Sequence, residues 1–195
     1  MAWGRSLYTA SEEPLGVDEA KDHLRVAADI TDENAYIQSL VYAARQHVEQ
    51  RTGKALLTQT WELRLDRFPC EIRLPRPPLQ SVTSIKYVDT NGTEQTLATT
   101  EYQVDAYEEP ARIREAYSKT WPTTRGQMNA VTIRYVAGFT AIGDPRLEPY
   151  RAAIKLLVAE MYEHREPVVT GTIVNALPVL DRLLAPVTCH WEFNY

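Results

Sequence analysis

Apolar residues recur at helical spacing near the start of the chain. Over residues 17–26, Leu24 lies four residues beyond Ala20, and Asp18, Glu19 and Ala20 form an acidic first turn that complements a helix dipole. After a polar break at residues 29–32, Ile37, Leu40, Val41, Ala44 and Val48 form a single stripe. That spacing predicts a helix over residues 33–52, capped by Thr31 or Asp32 and stopped at Gly53. From Leu56 the period changes to two. Trp61, Leu63 and Leu65 alternate with Glu62, Arg64 and Asp66, which predicts a strand with one wet face. Ile72 and Leu74 continue the pattern, and Pro75, Pro77 and Pro78 mark a stiff, extended crossing. A strand over 82–88 leads into the turn Asp89-Thr90-Asn91-Gly92-Thr93, with Gln95 to Leu97 returning antiparallel. Tyr102 with Val104, Ala111 to Ile113, and Val131, Ile133 and Tyr135 up to Gly138 predict three more strands, so an antiparallel sheet or small barrel is expected.

Asp144-Pro145 and Pro149 then open a helix with Ile154, Leu157, Val158 and Met161 on one face and Ala153 and Leu156 beside them, fading before Pro167. The remainder, from Val168 to Tyr195, carries Leu177, Leu180, Leu183, Leu184 and Trp191 among Gly171, Pro178 and Pro186. It is too apolar for a solvated tail and too interrupted for a long helix, so it needs a surface to lie on. The expected fold is α+β. N- and C-terminal helices make a helical body, with an inserted, mainly antiparallel β domain and an extended C-terminal segment. The boundaries are an N-terminal helical part over 1–55, a β insertion over 56–140, a helix over 141–166 packing on the N-terminal helices, and a docking segment over 167–195.

Composition narrows the function. At 195 residues, with 44% hydrophobic and 24% charged side chains, the chain is that of an ordered globular protein. A formal charge of −5 argues against general wrapping of nucleic acid. Two distant cysteines, Cys70 and Cys189, with no secretory leader and no apolar run of membrane length, suggest a reduced, soluble intracellular protein. No phosphate-binding glycine loop, paired metal-ligand motif or nucleophile elbow occurs, and Cys189-His190 alone is a weak metal signal. No catalytic residue, cofactor or metal is therefore expected. Asp18, Glu19 and Asp22 are explained by a helix start, and Glu108-Glu109-Pro110 by a solvated loop. The aromatic residues Tyr87, Tyr102, Tyr107, Tyr117, Trp121 and Tyr135 fit half-buried strands, with a contact surface as the alternative.

The order of these segments resembles the head–tail connector (adaptor) proteins of long-tailed phages and prophages, in the subgroup with a β insertion. The resemblance rests on Pro14-Leu15 followed by residues 17–26, on Val48-Glu49-Gln50-Arg51-Thr52-Gly53, and on Leu74-Pro75-Arg76-Pro77-Pro78-Leu79-Gln80-Ser81-Val82 running into Ile85-Lys86-Tyr87-Val88-Asp89. It continues with Tyr102-Gln103-Val104-Asp105, Arg112-Ile113, Trp121-Pro122, residues 131–138, the final helix and Leu183-Leu184-Ala185-Pro186. It implies a structural virion protein, assembled in the host cytoplasm, that forms a dodecameric ring at the head–tail interface. That ring docks on the portal protein, meets a tail-side stopper or tail-completion protein, and lets DNA pass without sequence-specific binding. No membrane is involved. Leu177, Leu180, Leu183, Leu184 and Trp191 are the expected docking anchors, and Tyr107, Tyr117 and Trp121 a second candidate interface. The alternatives are a tail-completion or other intracellular interaction module, and a small enzyme whose site assembles only in space.

Overall fold

The computed structural model describes the backbone of residues 5–8 together with residues 12–164 and 178–189. Contacts divide the chain into two units, one of helices from residues 11–52 and 141–188 and one of strands from residues 53–140 with the first strand.

In the helical unit, α1 (Val17–Leu24) is shorter than its pattern suggests. Arg25 adopts a left-handed φ of 59°, and the N–H groups of Arg25 and Val26 close on the carbonyls of Asp22 and Lys21, a helix stop made without glycine. The Lys21 side chain is 2% exposed and donates to the carbonyls of Ala28 (2.9 Å) and Ile30 (2.7 Å), which fixes the polar break. α2 (Asn34–Thr52) begins beyond Thr31 and Asp32 and packs against α3 (Glu148–Glu163), as the two stripes require. Ile37, Val41, Ala44 and Val48 are buried, as are Ile154, Leu157 and Val158. Leu40 and Met161 differ from expectation. Both are half-buried at the flanks, because each stripe is wider than the contact that covers it.

Arg45 lies within this unit at 2% exposure, donating to Glu13 (2.7 Å) and Glu49 (2.8 Å). A buried guanidinium with two carboxylates ties the segment before α1 to α2, and removing one partner from such a set is costly. Glu19 of α1 pairs with Arg151 and with Lys155 of α3, the latter at 2.7 Å, so it does more than complement a helix dipole.

The β unit holds two antiparallel sheets rather than one sheet or a barrel. β1 (Arg5–Tyr8), β2 (Gln59–Leu65), β8 (Val131–Ala137), β4 (Leu79–Val88) and β5 (Glu94–Thr96) form the first, in that order. β3 (Ile72–Arg73), β7 (Arg112–Glu115) and β6 (Tyr102–Asp105) form the second. One core serves both, with Leu63, Ile85, Ile133 and Tyr135 from the first sheet and Ile72, Tyr102 and Ile113 from the second. The turn at Asp89 forms as the sequence suggests. Asp89 Oδ1 accepts from the N–H groups of Asn91 (2.9 Å) and Thr93 (3.0 Å), and Gly92 takes φ 87°. β1 has no counterpart in the pattern analysis. Among the described residues no helix is long and apolar enough to cross a membrane.

The ends of the β unit are adjacent. Gln59 pairs with Ala137 across β2 and β8, and Leu57 bridges Phe139 beyond them. Gly138 sits at this closure with φ 110°, where a Cβ would lie 2.0 Å from the Leu57 carbonyl oxygen. Gly138→Ala is expected to destabilise the protein by on the order of 3 kcal/mol, read from chemical denaturation. By the same measurement Ile37→Ala should cost about 2–5 kcal/mol, and Leu40→Ala clearly less, because only Ile37 is enclosed.

Candidate interaction surfaces

The C-terminal residues divide into two groups. α4 (Pro178–Leu184) starts on a proline, which suits the first helical position, and packs against α3. Leu180 and Leu184 are 6% and 1% exposed, and Leu183 is half-buried. Leu180 and Leu184 are therefore part of the helical unit's own core rather than open docking anchors. The prolines shorten the helix, yet one helical turn is enough to aim both leucines at α3. Val179, on the other side of α4, is 57% exposed. Leu177 and Trp191 lie outside the described residues.

The β-unit candidates also separate. Tyr107, in the loop between β6 and β7, and Tyr117, just after β7, are 97% and 96% exposed. Trp121 is half-buried and stacks on Phe68 with ring centroids 4.8 Å apart and planes 7° apart, so it belongs to the packing around the core. Between the two tyrosines, the wet face of β6 and β7 carries Gln103, Asp105, Arg112 and Arg114, which with Val104 line a shallow depression of about 280 Å³.

Ion pairs hold the side chains of this face. Arg112 donates to Asp105 at 2.7 Å, and the Asp105 carboxyl is held below its ordinary range chiefly by that bond. Glu71 accepts from Arg73 at 2.8 Å and from Arg114, and the Arg73 bond is the main cause of its lowered pKa. Glu109 pairs with Lys54 and Glu108 with Arg112, the latter at 3.2 Å, so this loop is tethered rather than merely solvated. Among the described residues no three of His, Cys, Asp and Glu gather as a cation site.

Pattern analysis assigns Glu62 to a wet face, yet it is 7% exposed. Arg64 covers it with two nitrogens at 2.7 and 2.8 Å, and Arg134 approaches its other oxygen at 3.3 Å. Burial pushes the Glu62 carboxyl up, but the hydrogen bonds and charges of both arginines outweigh it and the net shift is downward. The alternation of β2 shows which side Glu62 faces. It carries no sign of Arg134, which arrives from a strand some seventy residues away and is brought opposite by register.

The outward features of this α+β chain are bare tyrosine rings and fixed arginine ion pairs, side chains of the kinds enriched where proteins meet. The model of the phage gp6-like head–tail connector proteins matches residues 15–115, more than half of the chain, and the chain belongs to that family. It is a structural head–tail connector protein, as its segment order suggests. No curated protein matches it. Among solved structures, it is similar to a chain from the neck of an empty GTA particle computed with C6 symmetry, at 26% identity, covering 99% of this chain and 98% of that one with a TM-score of 0.79. A chain from the neck of a native GTA particle computed with C12 symmetry is 25% identical over 98% of each chain, with a TM-score of 0.73. A chain from the virion of a native gene transfer agent (GTA) particle, 24% identical over 98% of each with a TM-score of 0.76, shares the fold.

The two classes of C-terminal residue predict different phenotypes. Leu184→Ala should lower stability by about 2–5 kcal/mol in thermal or chemical unfolding. Val179→Asp should leave unfolding within about 0.5 kcal/mol of the wild type, because the residue is already in solvent.

Proposed function

We propose that this connector forms a closed ring in the neck of a phage or phage-like particle, assembled in the host cytoplasm. The ring seats on the portal and offers a platform to a stopper or tail-completion protein. The observation that carries this reading is the likeness, over nearly the whole of both chains, to a chain from a particle neck computed with C6 symmetry, seconded by the one computed with C12 symmetry. The role is architectural and non-enzymatic, and no bound cofactor or metal enters it. The helical unit forms the body of each subunit, residues 56–140 are the insertion within it, and the C-terminal region contributes to docking. Exposed Val179 and half-buried Leu183 are the described contributors there, and Leu177 and Trp191 lie in the same stretch of sequence. Tyr107 and Tyr117 form the second contact surface, because large aromatic rings are effective interface anchors. DNA crosses the ring without base recognition, and a negative wall keeps the polyanion moving.

A heterologous contact closes into a ring only when its rotation is fixed, and a portal supplies that template. The isolated chain is therefore expected to sediment as a monomer or weak associate, and particle imaging after portal addition should reveal a closed ring of this protein. A stable dimer that portal leaves unchanged would contradict the reading. So would turnover of a substrate that a single substitution abolishes.

A further inference from the structure

The formal charge is divided unevenly between the two units. Residues 11–52 and 141–188 carry fifteen acidic against nine basic side chains, a charge of −6, whereas the remaining residues carry eleven acidic against twelve basic, a charge of +1. Like net charge therefore opposes contact between the helical units of two copies. A contact of one copy's β unit with the other copy's helical unit avoids that repulsion.

Within the β unit one place is built to use this difference. Arg64 on β2 and Arg134 on β8 share the wet face of the five-stranded sheet, and their side chains are 56% and 49% exposed. Both close on the single buried carboxylate of Glu62. One negative charge is thus surrounded by two guanidinium groups, leaving a net positive charge on a face that Thr60, Ser84 and Thr132 keep polar. Anchoring by Glu62 also reduces the freedom the arginines would lose on meeting an anionic partner.

The helical unit offers a matching pair. Asp18 and Asp22 are exposed and lie one turn apart on α1, and neither has an ion-pair partner among the described residues. Glu19 between them is already held by Arg151 and Lys155. Side chains four residues apart on a helix stand about 5–6 Å from each other at Cβ. The two aspartates thus present their charges side by side, as the two arginines do around Glu62. We infer that Arg64 and Arg134 of one copy receive Asp18 and Asp22 of the next, a charged head-to-tail contact between neighbouring connectors. This rests on the ring reading above and names the surfaces that would close it.

The test uses the full-length chain in sedimentation over a salt series, alone and with portal. Asp18→Lys/Asp22→Lys changes only exposed positions, and should weaken association between copies about tenfold or more while leaving the circular dichroism spectrum unchanged. Glu62→Gln/Arg64→Glu/Arg134→Glu, which leaves no buried carboxylate without a partner, should weaken it similarly. An equimolar mixture of the two variants should regain association. If the aspartate variant associates normally, the inference is overturned whether or not the arginine variant folds, and the ring reading stands. With both variants folded by circular dichroism, a mixture that fails to regain association overturns it too. If the arginine variant assembles normally but loses salt-sensitive retention of duplex DNA, the arginines face DNA and the inference is wrong. A wild type that neither self-associates nor assembles on portal removes the ring reading itself.

Discussion

The pairing of β2 with β8 is the constraint on which the rest of the chain depends. The helical stripes of α2 and α3 are separated by a long excursion, and they can pack only if that excursion returns to where it began. Closing a flexible loop of roughly eighty residues would cost on the order of 4 kcal/mol in chain entropy. Here the insertion makes the closure itself, because Gln59 stands opposite Ala137 and Leu57 opposite Phe139. Gly138 allows the two ends to approach so closely. The Gln80 side chain donates to its carbonyl at 2.7 Å, and its own N–H bonds to Pro78 at 2.8 Å. The β unit thus brings its own two ends together.

Charge organises each unit differently. In the helical unit it is used inward. Arg45 between Glu13 and Glu49, and Lys21 on two carbonyls, hold segments that have too few apolar residues to be fixed by packing. In the β unit charge is carried outward on strands, as carboxylate-anchored arginines at Glu62 and at Glu71. A carboxylate that fixes an arginine in place limits the entropy lost at a later contact, which suits a protein whose role is to meet neighbours in a set orientation. Tyr107 and Tyr117 likewise leave their rings in water.

For the head–tail connector family this gives a physical picture of a subunit with closed cores and prepared surfaces. The apolar side chains of α4 illustrate the economy of the design. Leu180 and Leu184 close the helical unit while Val179 remains outside on the same short helix. Burial and exposure are therefore assigned to opposite sides of one short element.

Periodicity alone was sufficient for α2, α3, β2, β8 and the Asp89–Thr93 turn, because each is specified by near neighbours in the chain: a stripe at helical spacing, an alternation, or an Asn-Gly pair. The order of segments was sufficient for the family. Other features were decided only by tertiary structure. Local period states which side of an element is apolar but not how far its partner extends, so Leu40 and Met161 proved to be flanking rather than central. It could not show that the described strands would split into two sheets, since alternation is the same in either arrangement. It marked Leu180 and Leu184 as apolar anchors without saying that α3 would be their surface. Alternation puts Glu62 on the wet face of its strand, and one of the two arginines that cover it, Arg134, becomes a neighbour only through strand register. A sequence records the preference of each residue for water or for a core, whereas the partner that satisfies it is chosen by contacts between distant parts of the chain.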